Sequence, residues 1–155
     1  FGVTYEGMIT DSAVSAIVGK ITDSKNARLV RDTEAALMAG IMAAHGGCHV
    51  GDIGNAVEKS LSKKYGIVRD LVGHGVGHEL HEDPNIPNQG RAGTGPVLQS
   101  GMTIAIEPMI TLGTYEVFTD MDGWTVKTQD GSRSAHFEHT ILITDIGAEI
   151  LTELS

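Results

Sequence analysis

The order of the periodic patterns along the chain constrains the fold more than any other feature. Residues 1–19 read as strand, glycine-containing turn and strand, and two segments with helical periodicity follow at residues 24–45 and 51–66. Beyond them the chain is strand-like, in the segments IVRDLV, MTIAIEPMI, WTVKTQ and AHFEHTILIT, separated by Gly, Asp, Asn and Pro. This order predicts a single α+β domain over residues 1–155, with helices covering one face of a mainly antiparallel sheet.

Both helical segments have an apolar face. In the first segment a mostly apolar stripe runs at spacings of three and four through Leu29, Thr33, Ala36, Leu37, Gly40 and Ile41. The glycine pair after His45 closes this helix. In the second segment Asp52 is placed to cap the helix, Gly66 ends it, and one face consists of Ile53, Val57 and Leu61.

Length and charge exclude several classes of protein. The 155 residues, 41% of them hydrophobic, suffice for one sizeable core, and no apolar run reaches the roughly 18 residues of a membrane span. We therefore expect no membrane partner, and because a formal net charge of -9 leaves no basic stripe for phosphates, we expect no direct nucleic-acid binding. The single cysteine, Cys48, fits a reducing, cytoplasmic compartment. His45 and His49 bracket it, yet such a lone thiol is more often an apolar filler than a metal ligand.

Acidic residues within or beside apolar strand patterns indicate a reactive site. Glu107 follows the alternating run MTIAI, Glu138 precedes the run ILI, and Asp11 shortly precedes AVSAIVG. A buried carboxylate must be neutralised, paired or bound to metal, because isolated burial costs several kcal/mol. Salt bridges remain an alternative for each acid, although the chain has only 11 Lys and Arg residues.

The segment GHGVGHELHEDPNIPN, residues 73–88, crowds three histidines, two glutamates and an aspartate between glycines. It is either a solvated polar loop or the lining of a site. HELHE lacks the second histidine of the H-E-x-x-H motif, because Glu82 stands at that position. Together with the three acids, His74 favours a metal site, and oxygen-rich ligation with one imidazole suits Mn, Fe, Co or Zn.

Several motifs together resemble one known family. VGHGVGHELHEDPNIPN, GMTIAIEPMIT, DGWTVKTQDGS and SAHFEHTILIT resemble, in this order, the signature segments of type I methionine aminopeptidases, which are pita-bread metallopeptidases. DSAVSAIVGK resembles the strand that carries one of their metal-binding aspartates. The resemblance covers nearly the whole chain. It implies the pita-bread (creatinase/aminopeptidase) fold, a curved and mainly antiparallel sheet covered by helices, without its N-terminal part.

The resemblance also implies the site. The implied metal ligands are Asp11, His74, Glu107 and Glu138, and the family holds two divalent ions (Co, Mn, Fe or Zn) bridged by the residues matching Asp11 and Glu138. His81 is expected to hydrogen-bond the peptide group of the substrate. Glu107 is expected to shuttle a proton as an activated water attacks the scissile carbonyl. Trp124 is expected in the wall of the methionine pocket.

The family has a further metal-binding aspartate eleven positions before the one that matches Asp11. That position falls immediately before Phe1. We therefore expect the chain to keep all four ligands of one metal, to lack the ligand specific to the second, and to lack an N-terminal segment that contributes to the pocket. The isolated 155-residue chain is expected to bind about one ion and to be nearly inactive.

The implied activity is metal-dependent removal of the N-terminal methionine from nascent proteins and peptides. The expected partners are a peptide or nascent-chain N-terminus and the ribosome. Two alternatives stay open. An Xaa-Pro peptidase of the same fold would share the ligands, although EPM, DGWT and SAHFEHT are more similar to the methionine enzymes. A non-catalytic pita-bread binding protein would typically have lost ligands, whereas the four visible ones are intact.

Overall fold

The computed structural model describes residues 1–20 and 22–153, which form two helices and twelve strands. In chain order the elements are β1 (Gly2–Tyr5), β2 (Met8–Ala13), α1 (Ser24–Ala43), α2 (Val50–Ser60), β3 (Gly66–Ile67), β4 (Gly73–Gly75), β5 (Glu82–Ile86), β6 (Thr103–Ile106), β7 (Met109–Thr111), β8 (Val117–Thr119), β9 (Val126–Thr128), β10 (Ser134–His136), β11 (Glu138–Thr144) and β12 (Gly147–Ile150). Every pairing between these strands is antiparallel. The predicted α+β class is confirmed.

One seven-stranded sheet organises the molecule. Its strand order is β1-β2-β11-β6-β4-β5, and β12 pairs with the other end of β11. Two smaller sheets have the orders β10-β7-β3 and β8-β9. Because β2, β11, β6 and β4 are neighbours, residues that are far apart in sequence are brought side by side across these four strands.

The apolar stripe predicted for α1 is confirmed, since all six of its residues are buried. Asp23 caps the helix, and its carboxylate accepts a hydrogen bond from the backbone N–H of Lys25 at 2.8 Å. The helix ends at Ala43, two residues before the predicted end at His45. Ala44 is already extended, and its N–H bonds the carbonyl of Ile41.

The second helix differs from its prediction at both ends. His49, rather than Asp52, is the N-cap residue of α2. Asp52 instead occupies the third helical position, and its carboxylate accepts a hydrogen bond from the His49 backbone N–H at 2.7 Å. This is the reciprocal arrangement of a capping box. The helix ends at Ser60 rather than at Gly66, because Leu61 adopts an extended conformation.

The strand predictions were too long. Of the segment around IVRDLV only Gly66–Ile67 pairs as a strand, and WTVKTQ contributes only Val126–Thr128. MTIAIEPMI divides into β6 and β7, which lie in different sheets, because Pro108 has no N–H with which to continue the ladder. AHFEHTILIT divides at Phe137 into β10 and β11. The segment 73–88, for which a solvated polar loop was one of two readings, contributes β4 and β5.

The main hydrophobic core lies between the helices and the large sheet. It joins Leu37 of α1 and Ile53 of α2 to Ile104 of β6 and Ile141 of β11. Each of these side chains is at most 1% exposed, and burial of such a side chain contributes roughly 1.5–3 kcal/mol. The core therefore holds β6 and β11 firmly in place. None of the described helices is both long and apolar enough to cross a membrane.

Candidate metal centre

Asp11 lies in β2, and a side chain from the neighbouring strand β11 fixes its backbone. Main-chain pairing of the two strands ends at Ser12 and His139. One residue further, the buried hydroxyl of Thr140 accepts a hydrogen bond from the N–H of Asp11 and donates one to its carbonyl, both at 2.8 Å. The position of Asp11 relative to β11 is therefore set by two bonds to a single side chain.

His74 lies at the centre of β4 with its side chain buried. Its Nδ1 donates a hydrogen bond to the carbonyl of Gly75 at 2.9 Å. Because a carbonyl oxygen can only accept, Nδ1 carries the proton, and the lone pair of Nε2 is free to bind a metal ion. That nitrogen is 3.6 Å from Oε1 of Glu107.

The glycines on both sides of His74 are explained by close packing of the strands. A Cβ atom at Gly73 would lie 2.3 Å from the carbonyl oxygen of Ala105 in β6. A Cβ atom at Gly75 would lie 2.3 Å from the carbonyl oxygen of Asp83 in β5. Any side chain at either position would push β4 away from a neighbouring strand and displace the imidazole between them.

Glu107 lies in the break between β6 and β7, where the chain passes from one sheet to another. Its carboxylate is placed between two imidazoles. Oε1 is 3.6 Å from Nε2 of His74, and Oε2 is 3.3 Å from Nε2 of His136. The side-chain amide of Asn88 donates a hydrogen bond to the Glu107 carbonyl at 3.2 Å, which restrains the backbone in this break.

Glu138, the first residue of β11, is only 4% exposed. Burial, followed by the nearby carboxylates of Glu107 and Asp11, raises the pKa of Glu138 to about 8, and the N-terminal ammonium of Phe1 opposes this shift. Among the described residues no Lys or Arg side chain pairs with these carboxylates. A bound cation would supply the missing positive charge and favour the ionised form.

Two groups of three potential metal ligands come together here. One consists of Asp11, His74 and Glu138, and the other of Glu107, His136 and Glu138; within each group the ligand atoms lie within 4.8 Å of one another. Each group has two carboxylates and one imidazole. Such a donor set is typical of a site for Mn, Fe, Co or Zn with oxygen and nitrogen ligands. It is not that of a structural zinc site with thiolate ligands. The residues present fit a divalent metal centre, and all four residues predicted as ligands belong to this cluster.

His136 is a residue of this centre that the sequence analysis missed. It ends β10 and stands two residues before Glu138. Residues two apart in an extended segment point to the same face, so the spacing in SAHFEH was a usable signal. The motif resemblance assigned a role to Glu138 alone.

His81 lies beside His74 at the exposed side of the centre. The ring centroids of the two histidines are 4.3 Å apart, and the rings meet edge to face at 63°. Both rings line an open cavity of about 480 Å³, whose lining consists of Val72, His74, His81, Glu82, Asp83 and Asn85. A ligand in this cavity would meet His81 and His74 together.

Trp124 lies in the turn between β8 and β9, and its side chain is 87% exposed. The carboxylate of Asp122 organises this turn by accepting hydrogen bonds from the backbone N–H groups of Trp124 and Thr125, at 2.9 and 2.8 Å. No hydrogen bond or ring contact found among the described residues joins the indole to the carboxylate cluster. Its place in a pocket wall stays a prediction.

Two other histidine-containing features lie outside the centre. The exposed ring of His78 donates a hydrogen bond from Nδ1 to the carbonyl of Gly7 at 3.2 Å. Cys48 is buried in the main core, and its sulfur accepts a hydrogen bond from the backbone N–H of His45 at 3.4 Å. The thiol therefore packs as an apolar filler, as the sequence favoured.

Comparison with known proteins identifies the family. The profile of metallopeptidase family M24 matches residues 1–145. A methionine aminopeptidase of Clostridium acetobutylicum is 45% identical over 152 residues, which cover 97% of this chain and 60% of that protein. The crystal structure of methionine aminopeptidase from Thermotoga maritima has a TM-score of 0.95 at 51% identity, covering 99% of this chain and 61% of that one. This chain belongs to metallopeptidase family M24.

The fold is also similar to that of a more distant structure, a prolidase. Prolidase from Pyrococcus furiosus has a TM-score of 0.75 at 25% identity, covering 99% of this chain and 40% of that one. The predicted pita-bread fold is confirmed by these neighbours. The chain spans about 60% of the length of the curated relatives that it matches.

Proposed function

We propose that the protein containing this chain removes the N-terminal methionine from peptides and nascent proteins in a reaction that depends on divalent metal ions. The supporting observation is the similarity to methionine aminopeptidases, 45% and 51% identity along nearly the whole chain, against 25% for a prolidase. The carboxylate and imidazole cluster adds a chemical reason, because it offers the ligands that a metallohydrolase requires.

Four residues would hold the metal, namely Asp11, His74, Glu107 and Glu138. The ion would be Mn, Fe, Co or Zn, given three carboxylates and a neutral imidazole. A divalent ion bound there would polarise the scissile carbonyl and activate water for its hydrolysis. The closeness of these carboxylates supports this assignment, since burial and the neighbouring acids disfavour the ionised form of Glu138, which a bound cation would favour.

Glu107 is the proposed proton carrier. Its side chain is 13% exposed, and its two carboxylate oxygens face different imidazoles, so one oxygen can remain oriented while the other exchanges a proton. It would take the proton of the attacking water and pass it to the leaving amine.

His81 and Trp124 are the proposed substrate-binding residues. The exposed imidazole of His81 reaches the cavity beside His74, where it would donate a hydrogen bond to the peptide group of the substrate. The exposed indole of Trp124 offers apolar surface to a methionine side chain.

A nascent-chain N-terminus in the cytoplasm is the proposed substrate, and the ribosome is the proposed site of encounter. The formal net charge of -9 favours a peptide over a nucleic acid as the direct ligand of this region. An Xaa-Pro peptidase would use the same cluster, so substrate preference distinguishes it. A non-catalytic binding protein would have no need to keep the carboxylates together.

The test uses the whole protein that contains this chain and compares methionine release from Met-Ala peptides with cleavage of Xaa-Pro peptides, with added Mn or Co and after chelation. Methionine release that is lost on chelation is expected. Glu107→Gln should lower turnover by about 100-fold or more, as removal of a proton carrier does. The exposed Glu149→Gln serves as a matched control and should leave turnover unchanged. Cleavage of Xaa-Pro peptides alone would establish the alternative peptidase, and cleavage of neither would favour a binding protein.

A further inference from the structure

An open groove of about 650 Å³ lies between the C-terminal end of α2 and β3. Within the described part of the chain, no residue that lines it belongs to either group of potential metal ligands. Its volume is in the range of ligand pockets, roughly 300–1,000 Å³. The lining residues that matter for its chemistry are Lys59, Lys63, Arg69, Leu61, Ile67 and Tyr115. We call it the α2 groove.

The charge of the α2 groove is opposite in sign to that of the chain. Three cations and one acid, Glu58, line it, whereas the chain has 20 acidic and 11 basic side chains. Among the described residues, none of the three cations forms an ion pair with a carboxylate. Glu58 instead accepts a hydrogen bond from the backbone N–H of Gly90 at 3.3 Å. The groove therefore presents positive charge that the fold does not neutralise.

The guanidinium of Arg69 is held over an aromatic ring. Its Cζ atom lies 3.8 Å from the centroid of the Tyr115 ring. Such a contact stabilises the position of a guanidinium by about 0.5–1 kcal/mol and leaves the N–H groups at its edge able to donate. Because this fork is planar and already oriented, it can form two parallel hydrogen bonds with one carboxylate.

The walls of the α2 groove are fixed by contacts within the chain. At Gly66 a Cβ atom would lie 2.7 Å from the carbonyl oxygen of Gly113, so the loop that leads to Tyr115 packs closely against β3. The side-chain amide of Asn55 in α2 donates a hydrogen bond to the carbonyl of Gly90 at 2.8 Å, which holds the neighbouring loop against the helix. A ligand therefore meets a preformed surface, and binding loses little free energy in ordering it.

Leu61 and Ile67 add apolar surface to the groove. Both are partly buried and pack against the smaller core cluster of Leu29, Ile110 and Ala135. The three cations are exposed, so the apolar side chains lie deeper than the charges. This combination matches a ligand that has carboxylates on either side of an apolar group.

We propose that the α2 groove binds a short acidic peptide segment of a partner protein. The carboxylates of the peptide contact the three cations, and an apolar side chain contacts Leu61 and Ile67. Nucleic acid is a poorer match, because it is bound along a longer basic track with bases stacked on aromatic faces. Here three cations border a single cavity, and Arg69 already covers the ring of Tyr115. The proposal depends neither on the metal centre nor on the substrate.

Fluorescence anisotropy with the whole protein that contains this chain tests the proposal. The probe is a labelled hexapeptide of alternating glutamate and leucine, acetylated so that it has no free N-terminus for an aminopeptidase. It should bind saturably with a dissociation constant below roughly 1 mM, and the constant should rise with salt because exposed charges are screened. Absence of saturable binding in that range would overturn the proposal.

Charge reversal locates the binding site. Lys63→Glu and Arg69→Glu should each weaken binding of the peptide by about tenfold or more, because a like charge then faces its carboxylates. Lys25→Glu is the matched control, since Lys25 is exposed in α1 and does not line the groove. If Arg69→Glu does not fold without its contact to Tyr115, Lys63→Glu carries the test alone. Equal weakening by Lys63→Glu and Lys25→Glu would show an effect of net charge and contradict the proposal.

Three further probes of the same length identify the ligand chemistry. A peptide with lysine in place of glutamate should not bind, and one with serine in place of leucine should bind about fivefold or more weakly, because it buries no apolar side chain. Hexauridylate should bind more weakly than the acidic peptide. Tighter binding of hexauridylate that is lost in Lys63→Glu would assign the groove to nucleic acid instead. Equal binding of the serine and leucine peptides would also contradict the proposal, since any anion would then suffice.

Discussion

The hydroxyl of Thr140 bonds both polar groups of the Asp11 backbone, accepting from its N–H and donating to its carbonyl at 2.8 Å. A single side chain thereby takes the place of the main-chain bonds that would continue the pairing beyond Ser12 and His139. This link connects the strand of one potential ligand to the strand that carries Glu138. The geometry of the proposed metal centre therefore depends on a buried residue that has no ligand atom of its own in either triad.

Thr140→Val, which keeps the shape of the side chain but not its hydroxyl, should lower the free energy of unfolding by about 1–3 kcal/mol by leaving buried backbone groups unpaired. It should also weaken Mn²⁺ binding tenfold or more, because Asp11 loses its fixed position. Thr140→Ser should preserve most of the affinity. Calorimetric titration and urea unfolding measure the two effects.

Thr111 provides the matched control, since it is equally buried and its hydroxyl donates to the carbonyl of Thr114 at 2.7 Å, outside the metal centre. Thr111→Val should lower stability without changing metal affinity. If the two valine variants changed affinity equally, the effect of Thr140 would be general destabilisation rather than positioning.

The glycine beside His74 should not tolerate even a methyl group. In Gly75→Ala the new Cβ would overlap the carbonyl oxygen of Asp83, and relief of such overpacking costs roughly 1–3 kcal/mol. The required shift of β4 should also weaken metal binding through His74. Gly147→Ala is the control, because a Cβ there meets no atom within 4 Å. Thermal unfolding without Mn²⁺ measures the loss of stability, and the increase in melting temperature with Mn²⁺ measures metal binding. If neither differed between Gly75→Ala and the wild-type protein, β4 would have room to move.

The sequence predicted the helical faces well, because a period of three to four residues depends only on local geometry and on one buried side. It failed at the strand ends. The division at Glu107 and Pro108 depends on which sheet each half joins, and that is a long-range property. Likewise Asp52 was placed at the wrong cap position, since a carboxylate favours either the cap or the third residue of a helix.

The motifs grouped the residues of this cluster more completely than the physical patterns did. Asp11, His74, Glu107 and Glu138 do come together, but only because four non-sequential strands are neighbours in one sheet, an arrangement that no local pattern reveals. The motif gave His136 no role, because the resemblance assigns one only to the glutamate two residues later. The alternation of side chains in an extended segment, which puts residues 136 and 138 on the same face, does indicate it.

Tyr65 should confer a pH-dependent part of the stability. Its hydroxyl donates a hydrogen bond to Asp32 of α1 at 2.8 Å. Burial, and then the hydrogen bond to Asp32, raise the pKa of Tyr65 above its ordinary value. Because the pKa of Tyr65 is higher in the folded than in the unfolded state, the protonated hydroxyl stabilises the fold. This contribution is fully present below the unfolded-state pKa of about 10 and is lost as pH rises through the folded-state pKa.

Tyr65→Phe should therefore lower the free energy of unfolding by about 1 kcal/mol at pH 7 and reduce the further loss at alkaline pH. Urea unfolding at pH 7, 9 and 10.5 measures this dependence. Tyr5→Phe is the control, because the side chain of Tyr5 is 74% exposed. This substitution should change neither the free energy of unfolding at pH 7 nor its loss at alkaline pH. If the free energy of unfolding fell as steeply with alkaline pH in Tyr65→Phe as in the wild-type protein, other groups would be responsible for the pH dependence.

Removal of metal should reveal how much the clustered carboxylates lower the free energy of unfolding. Burial and the neighbouring acids disfavour the ionised form of Glu138, so Glu138→Gln should make the chelator-treated protein more stable than the wild type at pH 7. With Mn²⁺ the order should reverse. An ion at one hundred times its dissociation constant stabilises the wild-type protein by about 2.7 kcal/mol, whereas the glutamine variant loses a shared ligand and most of this gain.

Glu149 is exposed in β12, so Glu149→Gln is the control and should change stability neither with chelator nor with Mn²⁺. Melting temperatures of the three proteins with chelator and with excess Mn²⁺ measure the reversal, and equal stabilisation of wild type and Glu138→Gln by Mn²⁺ would exclude Glu138 as a ligand.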